Sequence, residues 1–130
     1  HAPRIAAGSP VERAALGYLH ANCGHCHHDT TGRVPVALNL RQRVDDPRAA
    51  ADAVLASMLD APSRFHADAA APDARVVERG ASHHSTLVQR MATRQPQRQM
   101  PPLGSSHVDE VGRRLLTLWI DHDLPRRKDP

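Results

Sequence analysis

The stretch Cys23-Gly24-His25-Cys26-His27 decides how this chain is interpreted. It places two thiols three positions apart and an imidazole directly after the second thiol. Attachment of a c-type haem requires this spacing. Each thiol adds across one vinyl group of the haem to form a thioether, and the adjacent histidine becomes the proximal ligand of the iron. The motif therefore predicts one covalently bound haem c, attached through Cys23 and Cys26, with His27 on the iron.

Gly24 is predicted to ease the turn between the two cysteines. Two residues between the thiols allow the chain one tight turn, which presents both sulfurs to the same edge of a flat macrocycle. Glycine has no Cβ to restrict φ, so we expect conformational freedom to be its role. His27 directly follows Cys26, so attachment of the haem at Cys26 keeps the His27 ring close to the iron.

The composition independently favours a buried cofactor. The 130 residues include one Trp, one Tyr and one Phe, and much of the 40% hydrophobic content is alanine. Large apolar and aromatic side chains usually fill protein cores. A core of Ala, Val and Leu is undersized for this length, and a porphyrin would supply the missing bulk.

Charge and hydropathy narrow the expected partners. The formal charge of +3 is spread along the chain, without the dense clusters of nucleic-acid or anionic-lipid binding proteins. No apolar run is long enough to span a membrane, and His1 to Pro10 show no signal-peptide pattern. We therefore expect a mature or excised soluble domain with no nucleic-acid partner and no membrane insertion.

A capped helix is predicted just before the haem motif. Ser9 and Glu12 fit a capping box, and Pro10 suits the first helical position. The periodicity predicts that one face of this helix is formed by Val11, Ala14, Ala15, Tyr18 and Leu19.

Three further helices are predicted, and a surface loop from Pro62 to Pro72 is expected between the first and the second of them. Their expected caps are Asp46-Pro47, Ser82, and Ser106 followed by Asp109. The last helix is expected to end before Pro125. The predicted inward residues are Ala50, Ala53, Val54 and Met58, then Leu87, Val88 and Met91, then Val108, Val111, Leu115, Leu118 and Trp119.

Met100-Pro101-Pro102-Leu103-Gly104 is the best candidate for the other axial ligand. The two prolines stiffen the backbone and cannot continue a helix, so the Met100 thioether can be held on a rigid loop. A sulfur ligand raises the redox potential relative to two histidines. The competing candidates are methionines expected to fill the core and histidines near helix starts: Met58, Met91, His83, His84 and His107. A histidine ligand and an open sixth position remain as alternatives.

The chain resembles bacterial class I cytochrome c domains in the order of its motifs. The resemblance covers approximately Ser9 to Leu124. It rests on a capped helix, Cys23-Gly24-His25-Cys26-His27, Gly80 leading to Ser85-Thr86-Leu87-Val88-Gln89-Arg90-Met91, then Met100-Pro101-Pro102-Leu103-Gly104, Val108-Asp109-Glu110 and Leu118-Trp119-Ile120.

This resemblance implies an all-α cytochrome c fold, with crossing N- and C-terminal helices and the haem in the core. It implies a mono-haem domain at 9–124, with tails at 1–8 and 125–130, and His27 and Met100 as the axial ligands. The segment from Val36 to Arg79 is longer than compact members of the family need, so a long, loop-rich insertion is expected.

The implied function is one-electron transfer by a haem cycling between Fe(III) and Fe(II). The chain would be a free carrier or the relay domain of a larger oxidoreductase, so the partner is a redox protein or a fused oxidoreductase domain. Because haem c is normally attached outside the bacterial cytoplasm, the location is expected to be periplasmic or secreted. We expect no general acid, nucleophile or catalytic carboxylate pair, so the chain itself is not expected to be an enzyme.

Two groups near the haem are also predicted. The outer nitrogen of an axial histidine usually donates to a carbonyl or carboxylate, and the backbone carbonyl of Val34 or Pro35 is a candidate acceptor for His27. An ordinary surface turn at these residues is an equal alternative. Arg33 or another arginine is a candidate partner of a haem propionate.

Two other classes of site compete with this interpretation. The cysteines with His27 and His28 could bind zinc or act as a dithiol redox pair. However, the downstream half of a zinc site is missing, and a thioredoxin-like dithiol follows a strand rather than a capped helix. A haem sensor or peroxidase-like protein with an open sixth site is the other alternative.

Overall fold

A computed structural model of the protein describes residues 2–29, 34, 36–66 and 73–128. No β-strand occurs in these ranges, which contain only isolated bridges such as that between Leu59 and Val77. The prediction of an all-α protein is therefore confirmed for this part of the chain. The α-helices are α1 (Pro10–Cys23), α2 (Pro47–Met58), α3 (Thr86–Met91) and α4 (Glu110–Leu118).

The chain divides into two compact units, 1–58 and 59–130. The first unit contains α1, α2 and the cysteine motif, and the second contains α3 and α4. The domain predicted at 9–124 spans both units and stays a prediction, as do the two tails. Arg33, Pro35 and the end of the predicted surface loop, 67–72, lie outside the described residues.

Helix α1 begins as the sequence predicts. The Ser9 hydroxyl accepts a hydrogen bond from the Glu12 N–H at 2.9 Å, and Pro10 is the first helical residue. Glu12 is 2% exposed, and its carboxylate accepts from the Gly8 N–H at 3.1 Å. The predicted face was partly wrong, because Ala14 is exposed whereas Leu16 is buried. The buried residues of α1 are Glu12, Ala15, Leu16 and Leu19.

Helix α2 also begins at its predicted cap. The Asp46 carboxylate accepts a hydrogen bond from the Ala49 N–H at 3.0 Å. Ala53 was expected to face inward, but it is exposed. The buried face includes two residues that the pattern did not single out, Ala51 and Leu55. These two residues are four positions apart, so they lie on the same face of the helix. The complete buried set is Ala50, Ala51, Val54, Leu55 and Met58.

The predicted cap at Ser82 is wrong. Ser82 begins a short 3₁₀ turn, Ser82–His84, and α3 starts later, at Thr86. The Ser82 N–H and hydroxyl each donate to the Asp121 carboxylate at 2.7 Å, so this residue ties the turn to the C-terminal segment. Val88 and Met91 are buried, as predicted.

Helix α4 is capped by Asp109 rather than Ser106, since the Asp109 carboxylate accepts from the Gly112 N–H at 2.9 Å. The predicted inward stripe was partly wrong, because Val111 is 80% exposed and Leu118 is 47% exposed. Helix α4 ends at Leu118, before Pro125 as predicted, and is followed by a π-helical turn (Trp119–Asp123) and a 3₁₀ turn (Leu124–Arg126). The buried residues of α4 and the following π-helical turn are Gly112, Leu116, Trp119 and Ile120.

Candidate functional site

The cysteine motif forms one tight turn that continues from the end of α1. Cys23 is the last residue of that helix. Its carbonyl accepts from the Cys26 N–H at 3.1 Å and from the His27 N–H at 2.9 Å. These two hydrogen bonds form a tight backbone turn. Cys23, Cys26 and His27 therefore lie on the same short turn, as the spacing predicts.

Gly24 is required by space rather than by its conformational freedom. Its φ of −63° lies in the right-handed helical region, which every residue adopts, so the expected role in φ was wrong. A Cβ built on Gly24 would lie 2.7 Å from the His20 carbonyl oxygen and 3.0 Å from the Leu40 carbonyl oxygen. Both contacts are with backbone, which cannot move aside as a side chain does.

Gly24→Ala is therefore expected to destabilise the protein, by roughly 1–3 kcal/mol for an overpacked site. The matched control is Gly17→Ala within α1, where the new Cβ would meet only the Ile5 side chain at an ordinary 3.5 Å. Alanine is favoured over glycine by about 0.5–1 kcal/mol inside a helix. Urea unfolding should move in opposite directions for the two variants; equal midpoints would contradict the close backbone approach.

The two thiols are in different surroundings and neither forms a disulfide. Cys26 is exposed, whereas Cys23 is partly buried. Burial, with a smaller contribution from the charge of Cys26, raises the pKa of the Cys23 thiol to about 11. Cys23 is therefore a protonated thiol at neutral pH. Because a redox-active dithiol relies on a thiol of lowered pKa, this environment does not support the dithiol alternative.

The segment after the motif returns to it at Leu40. The Leu40 N–H donates to the His27 carbonyl at 2.8 Å, and Leu40 is 1% exposed. The neighbouring Asn39 is fixed to α2, because its N–H donates to the Ser57 hydroxyl at 3.1 Å and its carbonyl accepts from that hydroxyl at 3.0 Å. These bonds hold the backbone of His27, whose side chain is among the buried ones at 8% exposure.

Met100 lies at the base of an exposed loop in the second unit. Its side chain is half-buried, and its N–H donates to the Arg90 carbonyl at 3.0 Å. Pro101 to Gly104 are exposed, with Leu103 at 84%. Gly104 has a φ of +73°, a left-handed conformation that glycine adopts without steric cost. Met100 therefore lies at the partly buried end of the loop, and the apolar side chain of Leu103 is exposed to solvent.

Side-chain hydrogen bonds fix the backbone on both sides of Met100. The Arg90 guanidinium donates to the carbonyls of Arg98 at 3.1 Å and Gln99 at 3.2 Å. Gln99 is 7% exposed, and its amide donates to the Pro102 carbonyl at 3.0 Å. The Arg90 guanidinium also lies 4.5 Å from the Phe65 ring centroid, and burial lowers its pKa. The methionine loop is therefore held by polar contacts, two of them partly buried, as well as by packing.

The competing ligand candidates occupy ordinary structural positions. Met58 and Met91 are 0% and 8% exposed and lie among the apolar residues of α2 and α3, as expected of core methionines. His83 and His84 are exposed, and the His84 ring lies 3.8 Å from the Glu78 carboxylate. His107 is also exposed.

Sequence reasoning missed the side chains that hold the methionine loop. They are Arg90, Arg94 and Gln99. A signal for them exists, since the sequence has no Asp or Glu from Gly80 to Val108. Arginines in such a segment have no local carboxylate to pair with, so their donors are available to backbone carbonyls.

No group of three or more His, Cys, Asp or Glu side chains suited to a metal ion occurs among the described residues. Cys23, Cys26 and His27 belong to the first unit, and Met100 belongs to the second.

Comparison of the chain with protein-family models, with characterised proteins and with solved structures found no match. In the described part of the chain, no helix combines the length and apolarity that crossing a membrane requires.

Proposed function

We propose that this chain is a one-electron carrier with a single haem c and the fold of bacterial class I cytochrome c domains. The observation that carries the proposal is the turn from Cys23 to His27, which is closed by two bonds to the Cys23 carbonyl. Neither cysteine is in a disulfide, as thioether formation requires. An imidazole one residue beyond the second thiol completes the donor set for the haem.

The residues of this turn would each hold the haem in a different way. Cys23 and Cys26 would anchor the haem covalently, and His27 would be the ligand of its iron. Gly24 lets the Leu40 backbone approach the turn closely, and the bond from the Leu40 N–H to the His27 carbonyl holds the ligand's backbone. A bound haem supplies one-electron exchange between ferric and ferrous iron.

Met100 is the proposed distal ligand. Its backbone is fixed, its side chain is half-buried, and the rival methionines lie in the core. A thioether in the sixth position would exclude external ligands and favour the ferrous state. The His27 and Met100 assignments together describe a carrier rather than an oxygen-activating site.

The proposed biological role follows from this chemistry. The chain would accept and pass on electrons as a free carrier or as the relay domain of a larger oxidoreductase, in the periplasm or outside the cell. Its partner would be a redox protein or a fused oxidoreductase domain. The chain would have no substrate chemistry of its own and would not be an enzyme by itself.

Carbon monoxide binding tests the carrier assignment against the open-site alternative. We expect the ferrous protein, matured in a host that attaches haem c, to bind carbon monoxide poorly because sulfur occupies the sixth position. The measurement is a carbon monoxide titration followed by visible absorption. Ready binding by the parent protein would favour a sensor or peroxidase-like site with an open sixth position.

A further inference from the structure

The side chain of Arg94 joins the end of α3 to both ends of the methionine loop. Its Nη2 donates to the carbonyls of Met91 and Met100, each at 3.1 Å. Its Nη1 donates to the Ser105 hydroxyl at 2.8 Å, and its Nε donates to the Thr93 carbonyl at 2.6 Å. One planar group therefore reaches the helix, the methionine and the far end of the loop.

This contact completes the fixation of the Met100 backbone. The Met100 N–H already donates to the Arg90 carbonyl, and Arg94 binds its carbonyl. With both peptide groups held, the Cα–Cβ direction of Met100 is set, and only side-chain rotamers remain to place the sulfur. The exposed residues from Pro101 to Gly104 supply little packing that could replace this bond.

The chemistry of the contact requires arginine. A guanidinium offers five donors in a rigid fork, whereas an ammonium is a compact point charge with rotatable donors. Lysine at this position would keep the charge, but its three donors on a single nitrogen could not reproduce bonds to four acceptors. Arg94→Lys therefore separates a geometric role of Arg94 from a purely electrostatic one.

We propose that Arg94 is the positioning residue that orients Met100 towards the haem iron and thereby keeps the sixth position closed. The inference rests on the proposed haem c function and adds a residue to it. Arg94 touches neither the haem nor the iron in this role; it acts through the Met100 backbone.

Arg94→Gln and Arg94→Lys test the proposal, with Arg114→Gln, an exposed arginine of α4, as the control for loss of charge. Losing charge-assisted bonds to the loop should raise the carbon monoxide affinity of the ferrous protein by roughly tenfold or more. It should also weaken the near-red ferric absorption band that depends on methionine ligation. We expect both Arg94 variants to show these changes, while Arg114→Gln keeps the parent values.

Three results would overturn the inference. Parent-like carbon monoxide affinity in both Arg94 variants would show that the loop keeps its place without the guanidinium. If Arg94→Lys keeps the parent carbon monoxide affinity and near-red band while Arg94→Gln changes both, the charge of the side chain, and not the geometry of its contacts, keeps the sixth position closed. A parent protein that itself lacks the near-red band while carrying covalent haem would overturn the Met100 assignment first, and the inference with it.

Ser105→Ala provides a milder test if the Arg94→Gln variant does not accumulate. It removes one of the four acceptors and leaves the bond to the Met100 carbonyl in place. We expect at most a small change in the same direction, because the bond to the Met100 carbonyl remains. Loss of the near-red band with a tenfold or larger rise in carbon monoxide affinity would show that the Ser105 contact, not the Met100 contact, closes the sixth position, and would count against the proposal.

Discussion

The double substitution Cys23→Ala with Cys26→Ala is expected to abolish covalent haem attachment. Both thioethers disappear, and His27 alone cannot hold the group through denaturation. The measurement is acid-organic extraction of the matured protein, followed by absorption of the protein and solvent fractions. All of the haem colour should leave the variant, whereas the parent chain should retain its colour.

His25→Ala is the matched control for this result. His25 lies between the two cysteines and is exposed, and it belongs to neither anchor nor ligand in the proposed site. This variant should keep its haem through extraction. A double-alanine variant that stays coloured after extraction would show that the attachment lies elsewhere in the chain.

Met100→His is expected to keep the haem but lower its midpoint potential. Replacing a soft thioether by an imidazole removes the preference for ferrous iron. Axial ligands set haem potentials over a range of about 0.8 V, and we expect a decrease of at least roughly a tenth of that range. A spectroelectrochemical titration of the parent and the variant measures the shift.

Met58→Leu is the control for the loss of a methionine. Met58 is fully buried, and leucine fills nearly the same volume at modest cost. This variant should keep the parent potential. If Met100→His leaves the potential unchanged as well, Met100 is not the distal ligand.

Much of the fold was predictable from local chemistry. Ser9 and Asp46 lie one residue before proline at the start of a helix, and both cap the helices that follow them. Such caps depend on residues within one turn of each other, so the sequence alone is sufficient to find them. The turn from Cys23 to His27 is local in the same sense.

The errors arose where contacts are distant in sequence. Ser82 looks like a cap but binds Asp121, which is 39 positions away. Val111 and Leu118 look like core residues of α4 but are exposed, because periodicity identifies apolar stripes and not which of them is covered. Gly24 was singled out for the wrong reason, since its close neighbour Leu40 lies sixteen positions further along the chain.

The candidate site was predictable to the same extent. The motif and Met100 could be singled out as candidates because each is recognisable from a few adjacent residues, and their roles at a haem stay predictions. The contacts of Arg94 could not be predicted, because they depend on how the chain between Met91 and Ser105 folds back around one guanidinium. No spacing rule assigns backbone carbonyls to a particular arginine.

The intact mass of the matured chain under denaturing conditions tests the central claim most directly. The account predicts a single species heavier than the polypeptide by one haem, and peptide mapping should place the added mass on the segment that contains Cys23 and Cys26. A mass equal to that of the bare polypeptide, from a host that matures other haem c proteins, would contradict it.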